Sequence, residues 1–467
     1  MRARQPEGEP VSEPTIPRRQ WIRAPLAILA EGDAGGGLVV EGSRIVELVP
    51  AGREPAAAVD EIVDASRHVV IPGLINTHHH VYQTLTRAHP AAINRPLFGW
   101  LKALYGIWTA ITPEAFRLAT RLAYTELLMS GCTTAGDHHY IFPKGLEQAV
   151  DIQVEEARAL GIRAFVTRGS MSLSEKDGGL PPESLVQDDD TILADSERVL
   201  RLFHDPKPGA MVQVGLAPCS PFSVTKRLMR ETASLAERFD ARLHTHLGET
   251  EDENAFCVAT FGQRPVDYLE EVGWMSPRTW LAHGIHFDDG EVARLGRTGV
   301  GICHCPTSNM TLASGHCRTC ELEQAGSPVG LGVDGSASND SSNLMEGVRH
   351  AVLMNRLVYG AERVTHLDAL RWATSGSAAC LGRRDIGRIA PGCEADLALF
   401  TLDELRFSGG HDPLATLVLC GAHRADRVMV AGAWRVVDGE PIGVDTGRLR
   451  EEHGRIARQL FSASPRR

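Results

Sequence analysis

No stretch of the chain approaches the roughly 18 unbroken apolar residues that a membrane-spanning helix requires. The opening "MRARQPEGEPVSEPTIPRRQ" lacks the apolar core of a secretory signal. A membrane protein is therefore not expected, and a cytoplasmic one is. A basic surface is missing too: the formal net charge is −11 and the 48 lysines and arginines are scattered, which leaves no electrostatic footprint for nucleic acid. The ten cysteines have no regular spacing, as befits reduced thiols rather than a disulfide framework. The one CxxC, Cys317 and Cys320 in "GHCRTCELE", has no second pair at zinc-finger spacing. What remains is 467 residues, 43% hydrophobic and 23% charged, enough for one large α/β domain with an accessory. A small-molecule protein is expected.

Against this plain background stands "LINTHHHVYQTLTR", three histidines directly after an apolar, strand-like run. Successive strand residues face opposite ways, so His78 and His80 share a face and His79 does not. Two of the three can therefore share one metal ion.

Short apolar runs ending in polar or glycine clusters recur with helix-like stretches between them, the pattern of βα units. Eight are readable: "HVVIPGLINTHHH", "GCTTAGDHHY", "RAFVTRGSM", "MVQVGLAPCSP", "ARLHTHLGET", "TWLAHGIHF", "VGICHCPTSN" and "PVGLGVDGSASND". Eight units imply a closed (β/α)8 TIM barrel, expected over residues 73–380. The flanks, residues 21–72 and 381–467, read as short alternating strands with glycine turns. They are expected to form a small β-sandwich built from both chain ends, the second part carrying a C-terminal helix. Residues 1–20 are expected to be a poorly ordered extension.

In such a barrel the chemistry sits at the C-terminal strand ends. The polar residues gather there: His78 and His80 after the first strand, His244, His246 and Glu249 at the fifth, His283 and His286 at the sixth, Asp334 at the eighth. A shell of three imidazoles and a carboxylate suits a catalytic Zn²⁺ or Fe²⁺ better than Mg²⁺ or Ca²⁺. Such an ion makes hydroxide available near neutral pH, so the site reads as hydrolytic.

The motifs "NTHHH", "HLGE", "LAHG", "HCPTSN" and "VDGSASND" together resemble those of the amidohydrolase superfamily, in its branch of mononuclear-metal aminohydrolases. The resemblance implies a metal shell of His78, His80, His246 and Asp334 holding one divalent ion, Zn²⁺ with Fe²⁺ as the alternative. It makes Asp334 also the acceptor of the water's proton, Glu249 a proton carrier and His283 a hydrogen-bonding partner of the attacking water. His244 is expected to pack behind the shell, and His79 and His286 to be structural or rim residues. Members with two metals bridge them through a lysine on strand four; "MVQVGLAPCSP" has none, which agrees with one ion.

"THHHVYQTLTRA", "GDHHYIFP" and "RGSMSLSEKDGGLPP" resemble the members of that branch that deaminate 8-oxoguanine. Isoxanthopterin, guanine and s-triazine aminohydrolases are the alternatives, and a metal-free scaffold is a remote one that an intact shell disfavours. For a flat polar ring, Gln83 offers an amide donor and acceptor, Trp108 a stacking face, and His139 and Arg168 further donors. The partner implied is a small heterocycle; relatives of this kind are often homo-oligomers, and no interface is readable here.

Overall fold

A computed structural model describes residues 19–463. Its centre is an eight-stranded parallel sheet of β1 (Leu74–Asn76), β2 (Cys132–His139), β3 (Arg163–Ser170), β4 (Val212–Pro218), β5 (Leu243–Leu247), β6 (Thr279–His283), β7 (Gly301–His304) and β8 (Val329–Leu331), paired in sequence order. Every residue of these strands is buried, so neither face of the barrel sheet is left to solvent. The ends of the sheet meet through single contacts rather than a ladder. Thr77 N–H donates to Leu331 O (3.0 Å), and just beyond the strands Asp334 N–H donates to His78 O (3.0 Å). This closure brings the first and last barrel strands, and with them His78 and Asp334, side by side.

Helices of conventional sequence wrap the barrel. The one over Pro113–Met129 starts with Pro113 after the cap Thr112, whose hydroxyl accepts from Ala115 N–H (3.2 Å). The one over Asp289–Thr298 has a reciprocal capping box between Asp288 and Glu291 and ends at Gly299 with φ 69°. Among the described residues no helix is long and apolar enough to cross a membrane.

The chain ends build two further sheets. One contains Arg19–Arg23, Gly37–Glu41, Arg44–Val49 and Glu61–Asp64; the other joins Ala27–Ile28 and His68–Pro72 to Leu397–Thr401, Arg427–Val430, Ala433–Val437 and Glu440–Pro441. Ile22, Leu38, Val40 and Ile45 of the first pack on Val70, Leu397, Leu399 and Met429 of the second. Arg163, at the start of β3, ties barrel to sandwich through a buried pair of bonds to Asp396 (3.0 and 3.1 Å).

Three expectations need correction. "HVVIPGLIN" is not one strand: His68–Pro72 pairs with Leu397–Thr401 in the sandwich and only Leu74–Asn76 enters the barrel. Between them the chain passes so near Thr133 that a Cβ on Gly73 would lie 2.2 Å from it. Arg19 and Gln20 are not part of a loose extension; they start a strand, and Gln20 accepts from Trp434 Nε1 (3.1 Å). The rest of the expected extension, residues 1–18, lies outside the described residues. The last helix, Thr446–Ala463, packs on the barrel rather than the sandwich, with His453 Nε2 3.1 Å from Thr84 Oγ1.

Candidate metal centre and active site

The C-terminal ends of β1, β5, β6 and the turn after β8 converge on one point. His78, His80, His138 and His246 each bring a ligand atom within 4.8 Å of the others, and His78, His283 and Asp334 form an overlapping group. All are buried. Asp334 and His283 adopt left-handed backbone angles, φ 66° and 73°, which non-glycine residues rarely take and which cluster at functional sites. Gly335, next to Asp334, leaves room for a neighbour: a Cβ there would fall 1.8 Å from Gln83 Oε1.

The hydrogen bonds of the imidazoles fix which nitrogen is free. His80 Nδ1 faces His138 O (2.7 Å) and His246 Nδ1 faces Cys219 O (2.6 Å), so each Nδ1 must carry the proton and each Nε2 is a bare lone pair. His244 Nδ1–H donates to Trp280 O (2.9 Å), so its Nε2 accepts from His78 Nδ1–H (2.8 Å). His78 Nε2 is thereby left as a third lone pair, buried without a hydrogen-bond partner. The lone pairs of His80 and His246 lie 3.2 Å apart, and Asp334 Oδ1 is 3.3 Å from both His78 Nε2 and His80 Nε2. Three converging lone pairs and a carboxylate oxygen repel one another unless a cation joins them. A divalent metal fits this donor set.

The titration tendencies agree. Burial drives the imidazoles of His78, His138, His244 and His246 well below the usual range, favouring their neutral forms, as the ligands His78 and His246 require. For Asp334 burial alone would raise the pKa, but positive charge on the imidazole side of the cluster holds it well below the ordinary carboxylate value, a place that a bound cation takes when those imidazoles are neutral. Burial raises Glu249. His283 is raised despite its burial, because the carboxylates of Glu249 and Asp334 favour its cation. Its Nε2 lies 3.5 Å from Glu249 Oε2 and 4.0 Å from Asp334 Oδ2, while Nδ1 is held by Asn309 Oδ1 (3.0 Å). Two acids and a base of opposed tendencies thus face one small volume, an arrangement suited to moving protons.

Beside this cluster lies a cavity whose polar side is His80, His246, Glu249, His283 and Asp334 and whose apolar side is Leu97, Trp100, Leu101, Phe222 and Leu312. Of the four residues expected around the ring, only Gln83 lines it. Gln83 Oε1 accepts from Ala337 N–H (3.3 Å), and its Nε2 has no partner. The other three are corrections. Trp108 is wholly buried in the hydrophobic core, with Nε1 donating to Thr86 Oγ1 (3.2 Å); Trp100 of the same helix, Leu97–Trp108, faces the cavity instead. His139 points out of the barrel against Phe116 and Phe142, ring centroids 4.5 and 4.9 Å away. Arg168 is spent on Asp195 (2.7 Å), Gln187 (2.8 Å) and the face of Phe142.

His138 escapes the sequence reading, although it stacks on His246 at 4.7 Å and donates to Ala217 O (2.9 Å) through Nε2. The signal was in "GDHHY": one of two adjacent histidines must face the barrel interior. Tyr140, Cys219 and Ser338, also in the cavity wall, lie inside "GDHHYIFP", "MVQVGLAPCSP" and "VDGSASND" but were not singled out there, and Tyr105 lies in a stretch with no distinguishing pattern. His244, expected to pack behind the shell, stacks on Trp280 at 4.3 Å and 13° while orienting His78. His79 turns away, its Nδ1 accepting from His80 N–H (2.8 Å), and His286 pairs with Glu251 at the rim (2.8 Å). Cys317 and Cys320 sit apart from the cluster, as free thiols.

The model of the Amidohydrolase family matches residues 69–435. Among curated relatives, 8-oxoguanine deaminase of Pseudomonas aeruginosa is 63% identical over 446 residues, covering 95% of this chain and 99% of the relative. Isoxanthopterin deaminase of an unknown prokaryote is 35% identical over 426 residues, covering 86% and 88%. Among solved structures, atrazine chlorohydrolase from Arthrobacter aurescens complexed with zinc superposes with a TM-score of 0.88 at 31% identity, covering 94% and 100%. An adenosine deaminase from Xanthomonas campestris with bound zinc gives a TM-score of 0.81 at 28% identity, covering 95% and 97%.

Proposed function

We propose, for a chain that belongs to the amidohydrolase family and is one of its hydrolytic deaminases, that its substrate is 8-oxoguanine, converted with water to urate and ammonia. The observation that carries this reading is the 63% identity to 8-oxoguanine deaminase across 95% of the chain. The cavity supports it: apolar walls including the Trp100 indole face a narrow strip of polar groups, which suits a flat heterocycle held by its edge.

His78, His80 and His246 through Nε2, and Asp334 through Oδ1, would hold the ion, and zinc is the identity we favour from the donor set and the zinc of two solved relatives. Such an ion acts as a Lewis acid that makes water acidic near neutral pH. Asp334, ionised as a ligand must be, keeps Oδ2 toward His283 and the cavity, where it accepts a proton from the attacking water. Glu249, raised by burial, carries the water's two protons in turn, one to the ring nitrogen as the new C–O bond forms and the other to the amine as the C–N bond breaks. His283, whose cation the carboxylates of Glu249 and Asp334 favour, donates from Nε2 to the oxygen that becomes the product carbonyl. Gln83, its carbonyl already engaged, presents amide N–H donors to an acceptor on the ring.

The test is a side-by-side kcat/KM for 8-oxoguanine, guanine, isoxanthopterin and a hydroxylated aminotriazine. The oxo purine has a C8 carbonyl and an N7 proton that guanine lacks, and polar wall atoms left unmatched by guanine are worth about 10²- to 10⁴-fold. Equal values for the two purines would refute C8 recognition. A preference for the pterin would move the chain to its other relative and leave the metal chemistry standing.

A further inference from the structure

Behind the catalytic cluster sits a second carboxyl group that the reaction as described does not use. Glu253, in the first turn of the helix Glu251–Phe261, is 1% exposed. Its Oε2 accepts from the backbone N–H of Glu249 (3.1 Å), and its Oε1 is buried without a partner. The peptide unit between Gly248 and Glu249 is thereby gripped at both ends. Its N–H is held by Glu253, and its carbonyl, Gly248 O, accepts from Ile285 N–H and His286 N–H, both 2.9 Å, in the turn that follows His283. Gly248 sits at φ 66°, where a Cβ would fall 2.6 Å from Phe287, so the turn cannot be reshaped by a side chain there. One small frame therefore links the backbone carrying Glu249 to the backbone carrying His283.

We infer that Glu253 is the positioning residue for Glu249, locking the plane of the peptide from which the Glu249 side chain hangs and so setting its approach to His283 and to the substrate ring. The inference rests on the reading of Glu249 as proton carrier. A carboxyl of this kind has an ordinary alternative, a helix start in which the third helical residue reaches back to an N–H. Glu253 departs from it in three ways. Its acceptor bond goes past the cap residue Thr250 to Glu249 itself. It lies buried rather than at the surface. Burial also pushes its carboxyl up to about 8, so through neutral pH it holds its place without adding much negative charge beside Glu249. Proton transfer depends steeply on the reach between donor and acceptor, and a displacement of about 1 Å can lower a rate about 10²-fold.

The experiment uses the zinc-loaded enzyme with 8-oxoguanine and three variants, each measured for kcat, KM, metal content and melting temperature. E253M keeps the length but removes both oxygens; kcat should fall about 10- to 100-fold, with KM within about threefold and metal retained. E253Q keeps an acceptor oxygen and should recover kcat to within about fivefold of the parent. E253D keeps the carboxyl group but withdraws its oxygen, and should resemble E253M. The inference is overturned if E253M or E253D keeps the parental kcat, if E253Q is as slow as E253M, or if the loss appears in KM. Should E253M fail to fold, the contrast between E253Q and E253D decides. A fast E249Q would remove the proton-carrier reading itself, whereas a slow E249Q beside a fast E253M removes only the role given to Glu253.

Discussion

Replacing His244 with phenylalanine should weaken metal binding by about 10- to 100-fold although His244 holds no ligand position. The native ring stacks on Trp280 at 4.3 Å and 13°, and a phenyl ring preserves that stack and roughly the volume. What disappears is Nε2, the acceptor for His78 Nδ1–H at 2.8 Å, together with the Nδ1–H that donates to Trp280 O at 2.9 Å. A buried donor without an acceptor costs about 1–3 kcal/mol. In the metal-free variant His78 can avoid this penalty by moving its proton to Nε2, which faces Asp334 Oδ1 at 3.3 Å. That tautomer cannot ligate, so the ion must displace a proton that the native site had already placed elsewhere. The penalty is therefore transferred to the metal-bound state, and 1.4–2.7 kcal/mol corresponds to about 10- to 100-fold in affinity. Competition with a chromophoric chelator at fixed pH measures it, with the melting temperature of the apo protein recorded alongside. Unchanged zinc affinity in a folded H244F protein would refute the reasoning. So would a loss of affinity matched by a collapse of apo stability, which would mark His244 as packing alone.

Three further outcomes are expected. H78A or H246A should leave the protein without stoichiometric metal and without turnover, as elemental analysis of purified protein will read; metal retained in either variant contradicts the assigned shell. E249Q should keep its metal and lose about 10² or more in kcat, and a rate near the parent's would reduce Glu249 to a buried acid without a part in the chemistry. Glu253, ordinarily near 4.5 and pushed up to about 8 in the fold, holds its proton more tightly folded than unfolded. The stability this contributes is full below about pH 4.5 and is lost as pH rises toward about 8. Urea unfolding at about pH 5 and about pH 8 should therefore show a smaller fall for E253Q than for the parent, and equal falls would contradict the burial argument.

The barrel was legible because strands covered on both faces favour apolar residues, and each unit carries a short apolar run ending in polar or glycine residues even where a buried polar residue interrupts it. "RAFVTRGSM" and "MVQVGLAPCSP" became β3 (Arg163–Ser170) and β4 (Val212–Pro218) as read. The same reasoning misled at "HVVIPGLIN", where two buried strands of different sheets follow one another with only Gly73 between them. Hydrophobicity reports burial, not the sheet that provides it. The sandwich pairing of His68–Pro72 with Leu397–Thr401 joins residues more than 300 positions apart, a distance over which local pattern carries no information.

The cluster at the strand ends was legible for a different reason: its members belong to short motifs in which one residue fixes the next. Gln83 is the instructive case. It lies three residues after His80, in the turn Val81–Thr86, and its own N–H donates to His80 O (2.9 Å), so placing the histidine also places the glutamine. His139 and Trp108 have no such anchor. On β2 a slip of one residue exchanges His138, which faces the metal cluster, for His139, which faces Phe116. Along Leu97–Trp108 the eight positions from Trp100 to Trp108 rotate the side chain by about 80°, enough to turn it from the cavity into the core. Arg168 was lost to a partner, Asp195, on a helix whose approach no local pattern announces. Site residues can thus be read from sequence as far as the covalent geometry around an already placed ligand extends, and beyond that their direction is decided by registers that only the packed barrel sets.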